Sequence, residues 1–239
     1  MRLALNAVFL SLSLMTLATT KYPMAVFERP LTMPKNSFES ALLFSDDHMM
    51  MLGADYGITD YTQIGLAWDG FETAESAPVQ KISLIGAQFL FATDYVCSMA
   101  VVAMPLHFND SVFREVSVSL PTYIPILREK FNIVLFENIV KLHWREEAQA
   151  DFKFETRFVW QATHSLCLSL VTDWGTVNTS GAHKHIAQAT PLIFEALYAI
   201  TPMLDIVGVL GYDNIQSFES TKGLTGMLGI VFRGGDIEG

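Results

Sequence analysis

Between residues 151 and 161 the chain sets polar and apolar side chains largely in turn. Phe152, Phe154, Thr156, Phe158 and Trp160 fall on one face, and Lys153, Glu155, Arg157, Val159 and Gln161 on the other. A helix would mix the two sets, placing Lys153 and Arg157 beside Phe154 and Phe158. Period two instead marks an extended strand whose faces meet different surroundings. The pattern recurs. Thr62, Ile64, Leu66 and Trp68 alternate with Gln63, Gly65, Ala67 and Asp69; Val116, Val118 and Leu120 alternate with Glu115, Ser117 and Ser119. Leu166, Leu168, Leu170 and Thr172 alternate with Cys167, Ser169, Val171 and Asp173.

Composition says which surroundings these are. The 239 residues are 51% hydrophobic and only 17% charged, where a soluble domain carries about 25% charged residues. Beyond the first twenty residues, the longest uncharged stretches lie between Asp94 and Asp110 and between Arg157 and Asp173. Both are interrupted, the first by Ser98, Pro105, His107 and Asn109, the second by Gln161, Thr163, His164 and Ser165. Neither supplies the roughly 20 apolar residues of a helical span. An oily chain without an oily helix is reconciled by a closed antiparallel transmembrane β-barrel, an all-β fold whose strands need only about 10 residues. The net charge of −10 argues against a nucleic-acid partner. Two cysteines, Cys97 and Cys167, exclude a disulfide scaffold and read as free thiols facing inward.

The first residues have another character. Met1-Arg2, an apolar run from Leu3 to Leu17 and small residues up to Ala18 are ordered as in a secretory signal peptide, with cleavage expected after Ala18. Residues 19–36 are then a periplasmic N-terminal segment, 37–233 the barrel and 234–239 a short tail. Turn-like joints punctuate the barrel. With Thr59, Thr93, Arg128, Thr163 and Thr201 as markers, the steps are 34, 35, 35 and 38 residues, the repeat of a hairpin array. Longer polar segments fall between the joints at 71–78, 107–111, 145–150, 174–185 and 213–222. The predicted strands are 37–45, 48–56, 61–70, 80–91, 95–106, 113–125, 132–144, 151–161, 165–174, 187–200, 204–213 and 223–233. Twelve is an even number, which puts both chain ends on the side of the tight turns. Pro105, Pro121, Pro125 and Pro191 must each mark a bulge or a strand end.

The last predicted strand carries Leu224, Gly226, Leu228, Ile230 and Phe232 at alternate positions. This resembles the C-terminal insertion signal of bacterial outer-membrane β-barrels, from which it departs by continuing from Arg233 to Gly239. Residues 28–35, leading into the first strand, and Tyr56-Gly57-Ile58-Thr59-Asp60-Tyr61 likewise resemble porin-like or transporter-like barrels of Gram-negative bacteria. The resemblance covers nearly the whole mature chain and carries no substrate identity. It implies short periplasmic turns, longer extracellular loops and a place in the outer membrane. The partners it implies are outer-membrane lipids, the outer-membrane assembly machinery and a small solute.

Trp68, Trp144, Trp160, Trp174, Tyr198 and Tyr212 fall near strand ends, where aromatic rings form interfacial girdles or, on a sharper reading, bind sugars. The inward face receives Glu39, Asp55, Asp69, Glu115, Glu137, Lys141, His143, Lys153, Glu155, Arg157, Asp173, Glu195, Asp205 and Arg233. Among these, Glu137, Lys141, His143, Lys153, Glu155 and Arg157 lie on two strands expected to pair. Such a ladder either braces the wall as a paired ionic network or forms a constriction that selects the solute. Asp69, Asp173 and Asp213 are candidates for an acidic mouth. Gly53, Gly65, Ala67 and Gly229 leave room inside, whereas Met49, Met51, Met99, Leu135, Ile139 and Val207 would fill it.

His183-Lys184-His185 is a weak metal signal without a third ligand, and no cofactor or metal is expected. A nucleophile elbow, a Walker loop and a zincin motif are all missing from the sequence. His164-Ser165, and His143 with Ser117 or Ser119, are the only hydrolase-like pairs, so an enzyme is not expected. The function expected is a small passive pore or transport protein for small solutes. The alternative is a non-transport outer-membrane barrel, structural or phospholipase-like.

Overall fold

A computed structural model describes residues 22–46, 49–71, 80–92, 97–107, 112–113, 115–137, 139–143, 149–178, 190–215 and 223–235. Twelve antiparallel strands form one sheet. They are β1 (Ser37–Ser45), β2 (Met49–Thr59), β3 (Thr62–Phe71), β4 (Gln80–Ala92) and β5 (Cys97–His107). Next come β6, in two pieces (Glu115–Ser119 and Thr122–Leu127), and β7, also in two pieces (Phe131–Leu135 and Val140–His143). The rest are β8 (Gln149–Gln161), β9 (Leu166–Asn178), β10 (Leu192–Thr201), β11 (Leu204–Tyr212) and β12 (Leu224–Gly235). Each strand pairs with its sequence neighbours, and β1 pairs with β12 from Ser37↔Gly235 to Ser45↔Met227, so the ring closes. Closure satisfies the backbone groups a membrane could not hydrate.

The alternation read in the sequence is the alternation of the wall. Trp160 is 51% exposed between the buried Val159 and Gln161, and Leu228 is 63% exposed beside the buried Gly229. Leu52, Ile64, Leu66, Phe154, Phe194 and Leu210 share the exposed outer face. An apolar outer belt of this extent is stable only against hydrocarbon.

The prolines sit at irregular points. Pro121 separates the pieces of β6, the register slips between Pro125 and Leu127, and Pro191 immediately precedes β10. Pro105 falls where the pairing of β5 is interrupted, between Ala103↔Ser117 and Leu106↔Phe113. The last strand runs two residues past its expected end, since Gly234 and Gly235 pair with Phe38 and Ser37.

One break changes the face assignment. At the end of the first piece of β7, Phe136 takes φ 63°, and Val134 and Glu137, three residues apart, both line the interior. An unbroken strand returns to one face only on even steps. The bulge at Phe136 supplies the odd step and re-aims the residues after it. Leu135, expected inside, therefore belongs to the outer face, and Val134 takes the inner position.

Candidate functional site: the barrel lumen

Residues 22–34 do not simply lead into β1. They cross the turn-side mouth. The amides of Val26 and Phe27 donate to Gln161 Oε1 on β8 at 2.9 and 3.4 Å. Further on, the Met33 amide donates to Gln63 Oε1 on β3 at 2.6 Å, and the Thr32 hydroxyl donates to the Asp60 carbonyl in the β2–β3 turn at 2.7 Å. In a ring of twelve, β8 and β2 are diametrically opposite, so the segment spans the mouth. Gly57 permits its close approach, because a Cβ there would collide with the carbonyl oxygens of Met33 and Pro34. Asn36, at φ 61°, then turns the chain into β1, a left-handed conformation that asparagine tolerates.

Two forces hold the segment. Val26 and Phe27 pack against the inward cluster of Val134, Val159 and Cys167, with Tyr123 and Leu197 beside them. These wall positions are apolar where a wet lumen calls for polar groups, and burial against the segment explains them. The second force is ionic. Arg29 forks onto Asp205, with Nη1 2.6 Å from Oδ2 and Nη2 3.0 Å from Oδ1. The same guanidinium donates to the Pro23 and Met24 carbonyls at 3.0 and 2.8 Å, bracing the segment's own turn. Asp205 is wholly buried and also receives Arg233 Nη1 at 2.6 Å. Arg233 Nε lies 2.6 Å from Glu39 Oε2, close enough for an ion pair but too bent for a hydrogen bond. The Tyr22 ring meets both guanidinium groups, whose carbons are 5.6 and 5.3 Å from its centroid. Burial raises its phenol above the ordinary value near 10, against the opposing pull of Arg233.

Farther from the turns, Arg157 on β8 joins two carboxylates. Its Nε donates to both Glu137 oxygens at 2.8 Å, and Nη1 reaches Glu195 on β10. Glu155 stands within hydrogen-bonding range of Glu137. Between this triad and the N-terminal segment is a cavity of about 520 Å³, lined by Phe27, Arg29, Tyr123, Val134, Glu137, Arg157, Val159, Cys167, Glu195, Leu197 and Arg233 among others.

The expected ladder is thus partly assembled. Glu137, Glu155 and Arg157 come together and Glu195 joins them, whereas Lys141 and Lys153 sit nearer the loop end, Lys153 about 13 Å along β8 from Arg157. Asp173 is buried and accepts the Gly175 amide at 2.9 Å, which braces a bend in β9. Asp213 is exposed at the loop end of β11. Trp160 and Tyr198 stand exposed at the turn end, and Trp68, Trp174 and Tyr212 lie toward the loop end. Trp174 donates its indole N–H to the Thr156 hydroxyl at 2.9 Å. Cys167 is a buried free thiol at the cavity wall. His164 is exposed in the β8–β9 turn. Trp144, His183 and His185 lie outside the described residues, as do the side chains of Asp69, Cys97 and His143.

Sequence reasoning missed the crossing segment and its clasp. The available signal was the run of apolar inward positions Val159, Leu197 and Val207, which lacks a reason in an open wet lumen.

A closed twelve-stranded barrel, apolar outside and charged inside, is a transmembrane β-barrel of the outer-membrane type. No protein-family model and no curated relative matches the sequence. Solved structures share the fold. The KdgM porin aligns with TM-score 0.59 at 6% identity over 82% of this chain and 98% of its own. The NanC porin aligns with TM-score 0.58 at 9% identity over the same shares. The COG4313 outer membrane channel from Pseudomonas putida F1 aligns with TM-score 0.50 at 12% identity, over 91% of this chain and all of its own. The chain has the fold of bacterial outer-membrane porins and channels.

Proposed function

We propose that the protein is an outer-membrane channel for small solutes. The observation that carries this reading is the charged cavity inside a closed, lipid-belted wall: a passage across the bilayer needs an apolar outer surface and a polar interior at once. Its volume of about 520 Å³ suits a small molecule rather than a folded chain. One structural neighbour, the KdgM porin, is described in complex with a disordered oligogalacturonate, which makes an oligosaccharide of modest size a reasonable scale for the cargo.

The charge pattern points away from strongly acidic cargo. Among the described residues, the inward arginines Arg29, Arg157 and Arg233 are each clamped by carboxylates, so these three do not form a basic row that would collect anions. Neutral or weakly cationic solutes are favoured. Planar-bilayer recording tests this. Step-like events with a reversal potential near neutral or mildly cation-selective are expected. Strong anion selectivity would overturn the charge argument. Silence at every voltage, from folded wild-type protein and from variants with a loosened N-terminal segment alike, would remove the channel reading.

A further inference from the structure

We propose that residues 22–34 are an internal gate, which closes the turn-side mouth while Arg29 grips Asp205 and opens the lumen when that grip is lost. The proposal rests on the channel reading above and adds a closed state to it.

Three observations converge. The first is the path: from Gln161 on β8 to Asp60 and Gln63 beside β2 and β3, the segment bridges opposite walls and lies across the route by which solute would leave at that end. The second is how it is held. The segment buries Tyr22, Ala25, Thr32 and Met33 and makes hydrogen bonds to Gln161, Gln63 and Asp60, while its one ionic hold on the wall is a charged fork that ties three places at once, namely the wall at Asp205 and the carbonyls of Pro23 and Met24. Charge-assisted forks are directional, so displacement of a single side chain releases all three contacts together. The third is the receiving site. Asp205 keeps Arg233 when Arg29 leaves, and Arg233 keeps Glu39. No buried carboxylate is therefore stranded in the open state, and the wall is built to survive without the segment.

Cys167 gives an independent readout. Its thiol is 4% exposed and lies in the cluster that Val26 and Phe27 cover. A water-soluble maleimide should reach it only after the segment moves, and peptide mass spectrometry separates this label from any on Cys97.

The experiment compares the full-length wild type with Arg29→Ala and Asp205→Asn, reconstituted in liposomes and in planar bilayers. Arg29→Lys serves as a milder variant that keeps the charge and loses the fork, and heat modifiability on a gel confirms a folded barrel in each. Wild type should label slowly at Cys167 and conduct rarely. The two stronger variants should raise both quantities about tenfold or more, with Arg29→Lys between, a tenfold change corresponding to about 1.4 kcal/mol. Equal Cys167 labelling and equal, measurable conductance in wild type and variants overturn the gate and leave the channel standing. Faster labelling without conductance in any form supports the mobile segment and overturns the channel.

Discussion

Replacing Arg157 with alanine removes the guanidinium that, among the described residues, holds Glu137 and Glu195 together, and the geometry sets the size of the loss. The three side chains are 23%, 19% and 27% exposed, less than a third in each case. The triad is therefore not a surface bridge contributing about 0–1 kcal/mol. Nor is it a dry pair whose breakage costs about 3–5 kcal/mol, since water in the lumen rehydrates the stranded carboxylates. Hydrogen bonds to charged groups contribute about 1.5–3 kcal/mol each, and with that rehydration a net loss of about 2–3 kcal/mol is expected. At about 2–4 °C per kcal/mol for a chain of this size, the melting temperature should fall by roughly 5–10 °C. Heat-modifiability gels and circular dichroism in detergent measure the drop. Adding Glu137→Gln to Arg157→Ala should recover part of it, because one of the two facing charges is gone. Ion selectivity should change less than stability. An unchanged melting temperature with a large shift in reversal potential would refute the bracing argument and make the triad a selectivity filter.

Three further outcomes are expected. Leu228→Arg, on the exposed face near the middle of β12, should cost about 2–4 kcal/mol at the bilayer midplane, read as reduced folding yield into liposomes. Gly57→Val should unseat the segment at its β1 end, because the new side chain meets the Met33 and Pro34 carbonyls, and Cys167 labelling should speed up while the barrel remains folded. Tyr22 should be a late-titrating phenol, since burial raises it in the folded state. Its stabilising effect is complete below the unfolded value near 10 and is lost as pH rises through the higher folded value. Tyr22→Phe should delete the latest part of the alkaline absorbance titration, and a titration identical to wild type would count against the buried position.

Much of this architecture was legible in the order of residues. Leu166, Leu168 and Leu170 against Cys167, Ser169 and Val171 fix which face of β9 meets lipid, and the recurrent hairpin joints fix the number of strands. Both are local properties, since the pleat repeats every two residues wherever the strand lies. The Phe136 bulge was not legible, because a phase slip depends on how β7 must meet both β6 and β8. It decides that Val134 turns inward and that Glu137 still reaches Arg157.

By itself, then, the sequence determined a twelve-stranded wall, its apolar belt and its charged interior. The tertiary structure decided the occupant. Arg29 and Asp205 are 176 residues apart, and no periodicity links them; they meet only because ring closure sets the start of β11 beside the path of the N-terminal segment. A strand's two faces are written in its own residues, whereas the filling of the space enclosed by twelve of them depends on the whole ring.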